Sequence, residues 1–310
     1  MRYSVHRGYF DYRYHRDRNR RKYSDLKRWV IPAIVGEERR PKKPLWENAP
    51  TAEWAFNERL RRIKWLRKYS KIYPRLKRIA DRLASCEVDN RCGSGACPEC
   101  GRLFQRWFVR AVKKFIAKYL HNAGEELIAL NIVAEKSIVE PGQLSNFSII
   151  DIQRRLKFLL NKTDVNFAIG GVDFSFNEDG DGEFEPFWCP HSYIITSTVN
   201  RNQLSQQLRK FLKPCKRVPR PKKITSFSNN AYRRSYALKI NFYRRIGRIQ
   251  IKTNKDGKQR KCRNTSGRRL RVKELLELFL YLDQIGLAAR VIFRGARPRM
   301  KNGKMSIGRC

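Results

Sequence analysis

The sequence predicts an α+β fold in which helices pack on one face of a largely antiparallel sheet. The 310-residue chain is 41% hydrophobic and 12% aromatic, which is enough apolar material for a substantial core. Its middle part alternates strand and helix patterns, beginning with the strand "EELIALNIVA" and the amphipathic helix "SIIDIQRRLKFLLNKT". Two further strands, "NFAIGGVDFSFN" and "EPFWCPHSYIITST", flank the Asp- and Gly-rich segment "EDGDGE", so we expect them to form a hairpin. This order favours an antiparallel sheet covered by helices.

The net charge predicts a polyanionic partner. The chain has 69 Lys and Arg against 28 Asp and Glu, a formal charge of +41. Residues 201–273 alone hold 25 basic residues and a single acid, Asp256. A positive charge density this high is tolerable mainly where phosphates neutralise it, so we expect nucleic acid as the partner. No run approaches about 18 apolar residues, and the N-terminus lacks the apolar stretch of a signal peptide. We therefore expect a cytoplasmic protein that does not bind membranes.

The N-terminal part is expected to be a basic arm followed by two helical regions. About the first 45 residues lack apolar periodicity and predict an extended arm. A basic helix should follow from a cap at Asn48 or Thr51 and should break near Pro74. The segment "RLFQRWFVRAVKKFIAKYL" predicts a core-packing helix, because its apolar residues recur at helical spacing: Phe104, Phe108, Val112, Phe115 and Leu120.

After the hairpin we expect three helices, a loop and a strand. "NQLSQQLRKFL" and "SNNAYRRSYALKINFYRRI" predict helices, "TNKDGKQRKCRNTSGRR" a basic loop, and "VKELLELFLYLDQIGLAARVIFRG" a helix and a strand. The chain then divides into a basic arm and helix (1–80), a cysteine cluster and helix (81–120), a central core (121–245) and a basic C-terminal extension (246–310).

Four closely spaced cysteines predict a structural zinc site. Cys86, Cys92, Cys97 and Cys100 lie in "CEVDNRCGSGACPEC", and thiolates at such spacing can surround a tetrahedral ion. Glycines in this segment permit the tight turns that a zinc knuckle needs. The alternative is a set of reactive pairs or buried thiols. The other four cysteines are scattered and are expected to be ordinary residues.

Two features leave open whether the hairpin carries a cation site. One predicted strand carries Cys189, His191 and Tyr193 at alternate positions, so these side chains should share a face. That face is either a metal site or an ordinary packing surface. Residues 161–190 hold seven acids against Lys162, so this acidic island is either a solvated loop or a site for a cation.

The order of these segments resembles the rolling-circle replication initiators of small plasmids and phages, which belong to the HUH endonuclease superfamily. The resemblance covers roughly residues 86–245 and is carried by "CGSGACPECGRLFQRW", "LIALNIVA", "GVDFSFN", "CPHSYII" and "YALK". It implies an HUH/RRM-like nuclease core over residues 121–245. It also implies that the protein binds origin DNA, single-stranded or hairpin, and nicks one strand through a tyrosine.

The resemblance implies roles for individual residues. His191 falls on the first metal-binding histidine of the strand motif, Tyr193 stands in place of the second, and Asp173 matches an acidic residue on the neighbouring strand. Asp173 and His191 are therefore expected to hold Mg²⁺ or Mn²⁺ at the scissile phosphate. Tyr236 and Lys239 match the Tyr-x-x-Lys pattern. Tyr236 is then the nucleophile, and Lys239 stabilises its phenolate or holds a phosphate.

Tyr193 keeps a second interpretation open. A phenol is a poor ligand beside imidazole, so the cation site should be weakened or should recruit Cys189. The chain could then be a catalytically inactive, zinc-containing DNA-binding or regulatory protein. A third possibility is a basic protein that coats RNA or ribosomes, for which a scattered positive surface without a cleft is expected.

Overall fold

The computed structural model describes residues 29–38, 43–119, 124–253, 256–302 and 304–310. Within these residues the fold is α+β. The helices are α1 Val30–Glu38, α2 Ala52–Ser70, α3 Arg75–Ala84, α4 Pro98–Tyr119, α5 Ile149–Asn161, α6 Arg201–Arg209, α7 Ala231–Ser235 and α8 Val272–Ile285. The strands are β1 Glu126–Ile132, β2 Ala168–Asp179, β3 Phe187–Thr198, β4 Lys222–Ser226, β5 Tyr243–Thr253, β6 Gln259–Arg269, β7 Val291–Arg294, β8 Ala296–Lys301 and β9 Lys304–Arg309.

A mostly antiparallel sheet of seven strands forms the centre of the molecule. The strands lie in the order β4-β1-β3-β2-β5-β6, and β7 also pairs with β2. The first part of β2 pairs with β7, and its last part, residues 175–179, pairs with β5 in the sheet's one parallel contact among the described strands. The expected hairpin is confirmed, since β2 and β3 pair over residues 168–177 and 187–196.

Helices cover both faces of the sheet, so the expectation of helices on one face was wrong. Phe108 of α4 and Ile195 of β3 belong to one apolar cluster, whereas Leu156 of α5 and Ile194 of β3 belong to another. Adjacent residues of a strand point to opposite faces, and every residue of β3 is buried. The continuous burial explains why "FWCPHSYIITST" lacks a polar alternation.

The N-terminal helices follow their sequence signals closely. Thr51 caps α2 by accepting a hydrogen bond from the backbone N–H of Trp54 at 3.0 Å, and Pro74 immediately precedes α3. The predicted apolar face of α4 is confirmed for its four described members, and Leu120 lies outside the described residues. Most of the predicted basic arm, residues 1–28, also lies outside them. Residues 30–38 were wrongly assigned to that arm, because α1 buries Val30, Ala33 and Ile34 in the core.

Two predictions in the basic C-terminal half were wrong. The helix expected over "SNNAYRRSYALKINFYRRI" ends at Ser235, continues as a 3₁₀ turn over Tyr236–Leu238 and gives way to β5. The expected basic loop is strand β6, paired with β5 along its whole length. Both strands are largely exposed, so no hydrophobic alternation marks them. The sequence feature that does indicate this hairpin is the dipeptide Asp256–Gly257, which is typical of hairpin turns and whose glycine has φ 73°.

Candidate catalytic site and cysteine centre

The hairpin places Asp173 directly opposite His191. The two residues are register partners in β2 and β3, and cross-strand partners in an antiparallel pair share a face. Their side chains meet, with His191 Nε2 3.4 Å from Asp173 Oδ2, and both residues are buried. The Nδ1 atom of His191 lies 3.1 Å from the carbonyl of Cys189, which fixes the orientation of the ring. The expected Asp173–His191 pair is therefore present.

Two cationic side chains complete the surroundings of Asp173. Lys239 Nζ lies 3.4 Å from Oδ2, and the buried guanidinium of Arg290 lies 3.8 Å from Oδ1. Arg290 also donates hydrogen bonds to the carbonyls of Val172 and Lys239, so it ties β2 to the segment that follows Tyr236. Burial alone would raise the pKa of Asp173. The hydrogen bond from His191 and the charges of Lys239 and Arg290 outweigh burial and hold this pKa well below its usual range.

Tyr236 lies beside this cluster, although it is not on a regular helix. The ammonium of Lys239 stands over the Tyr236 ring, 4.5 Å from its centroid. The hydroxyls of Tyr232 and Tyr236 are 2.9 Å apart and share a hydrogen bond. The pKa of Tyr232 is raised, first of all by this hydrogen bond, so Tyr232 keeps its proton. Once Tyr236 is ionised it can only accept, and Tyr232 then donates to its oxygen.

The turn that carries Tyr236 can approach the sheet because of a glycine. A Cβ atom on Gly171 would lie 2.0 Å from the backbone oxygen of Ala237, so only glycine fits there. Gln105 of α4 also donates from Nε2 to the carbonyl of Ser235 at 3.1 Å. The sequence "GG" in β2 therefore indicates that another backbone segment packs closely against this strand.

The side chain of Tyr193 packs between the β2–β3 hairpin and Tyr236. Its ring is 6% exposed and lies 5.9 Å, centroid to centroid, from the ring of Tyr236. Within the described residues its hydroxyl has no hydrogen-bond partner. Burial raises the pKa of Tyr193 to about 12, so the side chain is a neutral phenol at physiological pH.

The donor set suits a divalent cation poorly. Asp173 is the one carboxylate of the cluster, and its neighbours are an imidazole, an ammonium and a guanidinium. Burial raises the pKa of Cys189 to about 12, so the free side chain is a neutral thiol at physiological pH. Mg²⁺ and Mn²⁺ prefer oxygen ligands, and Lys239 and Arg290 would repel them.

The four clustered cysteines are arranged to hold a metal ion. The Sγ distances are 3.5 Å from Cys86 to Cys100, 3.7 Å from Cys92 to Cys100 and 3.7 Å from Cys97 to Cys86. All four Sγ atoms lie within 4.8 Å of one another. Zinc–sulfur bonds of about 2.3 Å in a tetrahedron require sulfurs about 3.8 Å apart, so the cluster can hold an ion such as zinc.

Buried arginines surround this cysteine centre. Arg91 Nη1 lies 3.9 Å from Cys86 Sγ and 2.5 Å from Glu99, and Arg59 donates to the carbonyl of Cys86. Four thiolates around a divalent ion leave a net negative charge, which these guanidinium groups offset. Cys100 also lies in the first turn of α4, where the helix dipole favours thiolate. The centre therefore joins α2, the cysteine segment and the start of α4.

Two carboxylates of the acidic island bind the basic strands β5 and β6. Asp179 Oδ1 accepts from Arg263 of β6 at 2.8 Å, and Asp181 Oδ2 accepts from the backbone N–H of Ile249 of β5 at 2.6 Å. The acids of the β2–β3 turn therefore bind the protein's own basic hairpin. The turn itself is exposed to solvent over residues 180–183, and among the described residues these acids belong to no group of metal ligands.

No protein-family model matches the chain, and neither curated proteins nor solved structures give a match. Among the described residues, no helix is both long and apolar enough to span a bilayer.

Proposed function

We propose that the protein initiates DNA replication by binding origin DNA, single-stranded or folded as a hairpin, and nicking one strand through Tyr236. One observation carries this proposal. Tyr236 and Lys239, Asp173 of β2 and His191 of β3 belong to three separate segments, yet their side chains form one continuous cluster. The HUH-like resemblance predicted these four residues from the sequence, and their convergence supports a common chemical role.

The reaction would be a transesterification at phosphorus. The Tyr236 oxygen forms a bond to the phosphorus of a phosphodiester, and the bond to the 3′ oxygen breaks. The products are a 5′-phosphotyrosine and a free 3′ hydroxyl, which receives the proton that the phenol loses. Lys239, whose ammonium lies over the Tyr236 ring, can hold the negatively charged phosphate, and the hydroxyl of Tyr232 can donate to the phenolate oxygen.

Asp173 would act as a positioning residue in this reaction. With a pKa well below its usual range it remains ionised and is a weak base. Its carboxylate instead holds Lys239 at 3.4 Å and His191 at 3.4 Å, which directs both groups towards the face where Tyr236 lies. The guanidinium of Arg290, 3.8 Å from the other oxygen of this carboxylate, adds positive charge on the buried side of the cluster.

Lys239 would supply the positive charge that a Mg²⁺ or Mn²⁺ ion provides in the resembling family. Because the donor set suits such an ion poorly, no step of this reaction depends on one. We expect adduct formation in EDTA to match that in manganese within a few-fold. A strict requirement for manganese would show instead that Asp173 and His191 hold a cation when DNA is bound. At the cysteine centre we assign zinc, in the structural role of joining α4 to the helices before it.

The experiment uses single-stranded oligonucleotides with origin-like hairpins, labelled at the 3′ end, because the covalent product retains the DNA 3′ of the cut. The full-length chain should give a covalent adduct that withstands denaturing electrophoresis. Tyr236→Phe should lose the adduct while keeping DNA affinity, because it removes only the nucleophilic oxygen. Tyr243→Phe is the matched control, since Tyr243 is an exposed tyrosine of the same region, and it should form the adduct normally.

Two outcomes would favour the other interpretations. DNA binding without an adduct from the parent chain would indicate an inactive relative of the same fold, for which Tyr193 is the specific supporting observation. Preferential binding of RNA, again without an adduct, would indicate a protein that coats RNA or ribosomes.

A further inference from the structure

Strands β5 and β6 form a basic two-stranded ribbon. They pair over eleven residues each, and only the first five residues of β5 also contact the rest of the sheet, through β2. The two strands contain four and five basic residues respectively and no acid. Most of their side chains are exposed. A ribbon with this charge cannot be explained by core packing.

The acidic β2–β3 turn holds the base of the ribbon. Arg263 pairs with Asp179, and its guanidinium lies 4.8 Å from the centroid of the Phe184 ring. The backbone N–H of Gly180 donates to the carbonyl of Gly247 at 2.7 Å. A Cβ atom on Gly247 would lie 2.8 Å from Arg263 Nε, so this glycine leaves room for the pairing. The face that carries Gly247 and Arg263 is therefore partly covered near the base.

The opposite face presents side chains suited to reading base edges. Arg248 lies opposite Asn264, and Gln250 lies two residues further along the same face. These residues and Arg268 line one concavity, in which Asn264 Nδ2 donates to Gln250 Oε1 at 3.1 Å. Arginine pairs with guanine, and asparagine or glutamine with adenine, through two hydrogen bonds each in the major groove.

Duplex DNA fits this face better than other nucleic acids do. The major groove of B-form DNA is about 12 Å wide and admits a two-stranded ribbon. Single strands are bound mainly by stacking on aromatic side chains, whereas beyond Tyr243 neither strand contains Phe, Tyr or Trp. Double-stranded RNA has a deep and narrow major groove that side chains cannot read.

We propose that the face formed by Arg248, Gln250, Asn264 and Arg268 lies in the major groove of duplex DNA and selects its sequence. This inference rests on the proposed function only in taking DNA as the partner, and it separates recognition of a duplex from nicking of a strand. The base of the ribbon adjoins the catalytic cluster, because Tyr243 pairs with Ser175, two residues from Asp173. A duplex on the ribbon would therefore bring its neighbouring single strand towards Tyr236.

The test is selection from a pool of random-sequence duplexes of about two helical turns, at about 0.15 M ionic strength. The full-length protein should enrich a consensus. Gln250→Ala combined with Asn264→Ala should lose discrimination at one or two base pairs, by roughly 5- to 150-fold for each pair read. Arg248→Ala should weaken binding to the consensus duplex. Lys261→Ala is the matched control, because it removes one charge from the other face of the same ribbon, and it should retain the consensus.

Parallel assays separate this inference from the nicking proposal. The ribbon variants should still form the adduct with a short single-stranded oligonucleotide, and Tyr236→Phe should select the same duplex consensus as the parent. Three results would overturn the inference: no consensus from the parent, an equal effect of Lys261→Ala and Arg248→Ala, or binding of an RNA duplex as tight as that of the DNA duplex.

Discussion

At the scale of single residues, Asp173 is the centre of the candidate site, because His191, Lys239 and Arg290 all lie within 4 Å of its carboxylate. Asp173, His191, Tyr236 and Lys239 could be named in advance, because the resemblance to the replication initiators implied a role for each of them. Arg290 could not be named. It lies 51 residues after Lys239, and nothing in "GLAARVIF" distinguishes it from the other basic residues of a chain with 69 of them. Only the fold brings its guanidinium to Asp173.

The low pKa of Asp173 predicts how its removal should affect stability. Asp173→Asn keeps the size of the side chain but removes the charge that faces Lys239, His191 and Arg290. A carboxyl whose pKa is lower in the folded state stabilises the fold above its unfolded pKa of about 3.9, and this contribution is lost as the pH falls towards the folded pKa. We therefore expect Asp173→Asn to destabilise the protein at pH 7 and to do so less at pH 3.

Urea denaturation at the two pH values measures this difference. Asp151→Asn is the control, since Asp151 is exposed and forms a surface pair with Arg154. It should have little effect at either pH. An equal destabilisation by Asp173→Asn at pH 7 and pH 3 would mean that the carboxylate charge does not hold the cluster together.

At the scale of elements, the predictions succeeded where burial imposes a pattern and failed where it does not. The apolar face of α4 and the β2–β3 hairpin could be predicted from the sequence, because their residues face a core and this imposes a hydrophobic pattern. The β5–β6 ribbon could not be predicted as two strands, because both of its faces are largely exposed and nine of its 22 residues are basic. Its pairing depends on the Asp256–Gly257 turn and on the acidic turn that holds its base.

The cysteine centre gives a prediction about metal content. The full-length protein should contain one zinc ion per chain when purified without chelator, because four sulfurs at 3.5–3.7 Å suit a tetrahedral ion. Cys97→Ser should lose that zinc and lower the thermal midpoint, since the centre joins α4 to α2. Elemental analysis and thermal unfolding measure the two effects.

Cys215→Ser is the matched control for the cysteine centre. Cys215 is a partly buried free thiol outside the cluster, so its replacement should change neither zinc content nor the thermal midpoint appreciably. Absence of zinc from the parent protein would contradict the assignment, as would full zinc content in Cys97→Ser.

At the scale of the whole molecule, charge is the dominant feature. The net charge of +41 and the 25 basic residues between 201 and 273 predict binding that is driven by counterion release. If the protein contacts six to ten phosphates, its affinity for DNA should fall by about three to five decades between about 50 and 200 mM salt. Fluorescence anisotropy with a labelled duplex measures how the affinity depends on salt. An affinity that does not change with salt concentration would contradict binding through this many phosphate contacts.

The proposed function requires that Tyr236 is the residue that joins DNA. Trypsin cleaves after Arg234 and Lys239, so the peptide Ser235–Lys239 contains Tyr236 and excludes Tyr232, which lies in a separate tryptic peptide. The decisive measurement is mass spectrometry of the protein after reaction with single-stranded origin-like DNA, nuclease digestion and trypsin. We expect the Ser235–Lys239 peptide to carry a 5′-linked nucleotide on Tyr236. A DNA-bound parent protein with that peptide wholly unmodified would contradict the account.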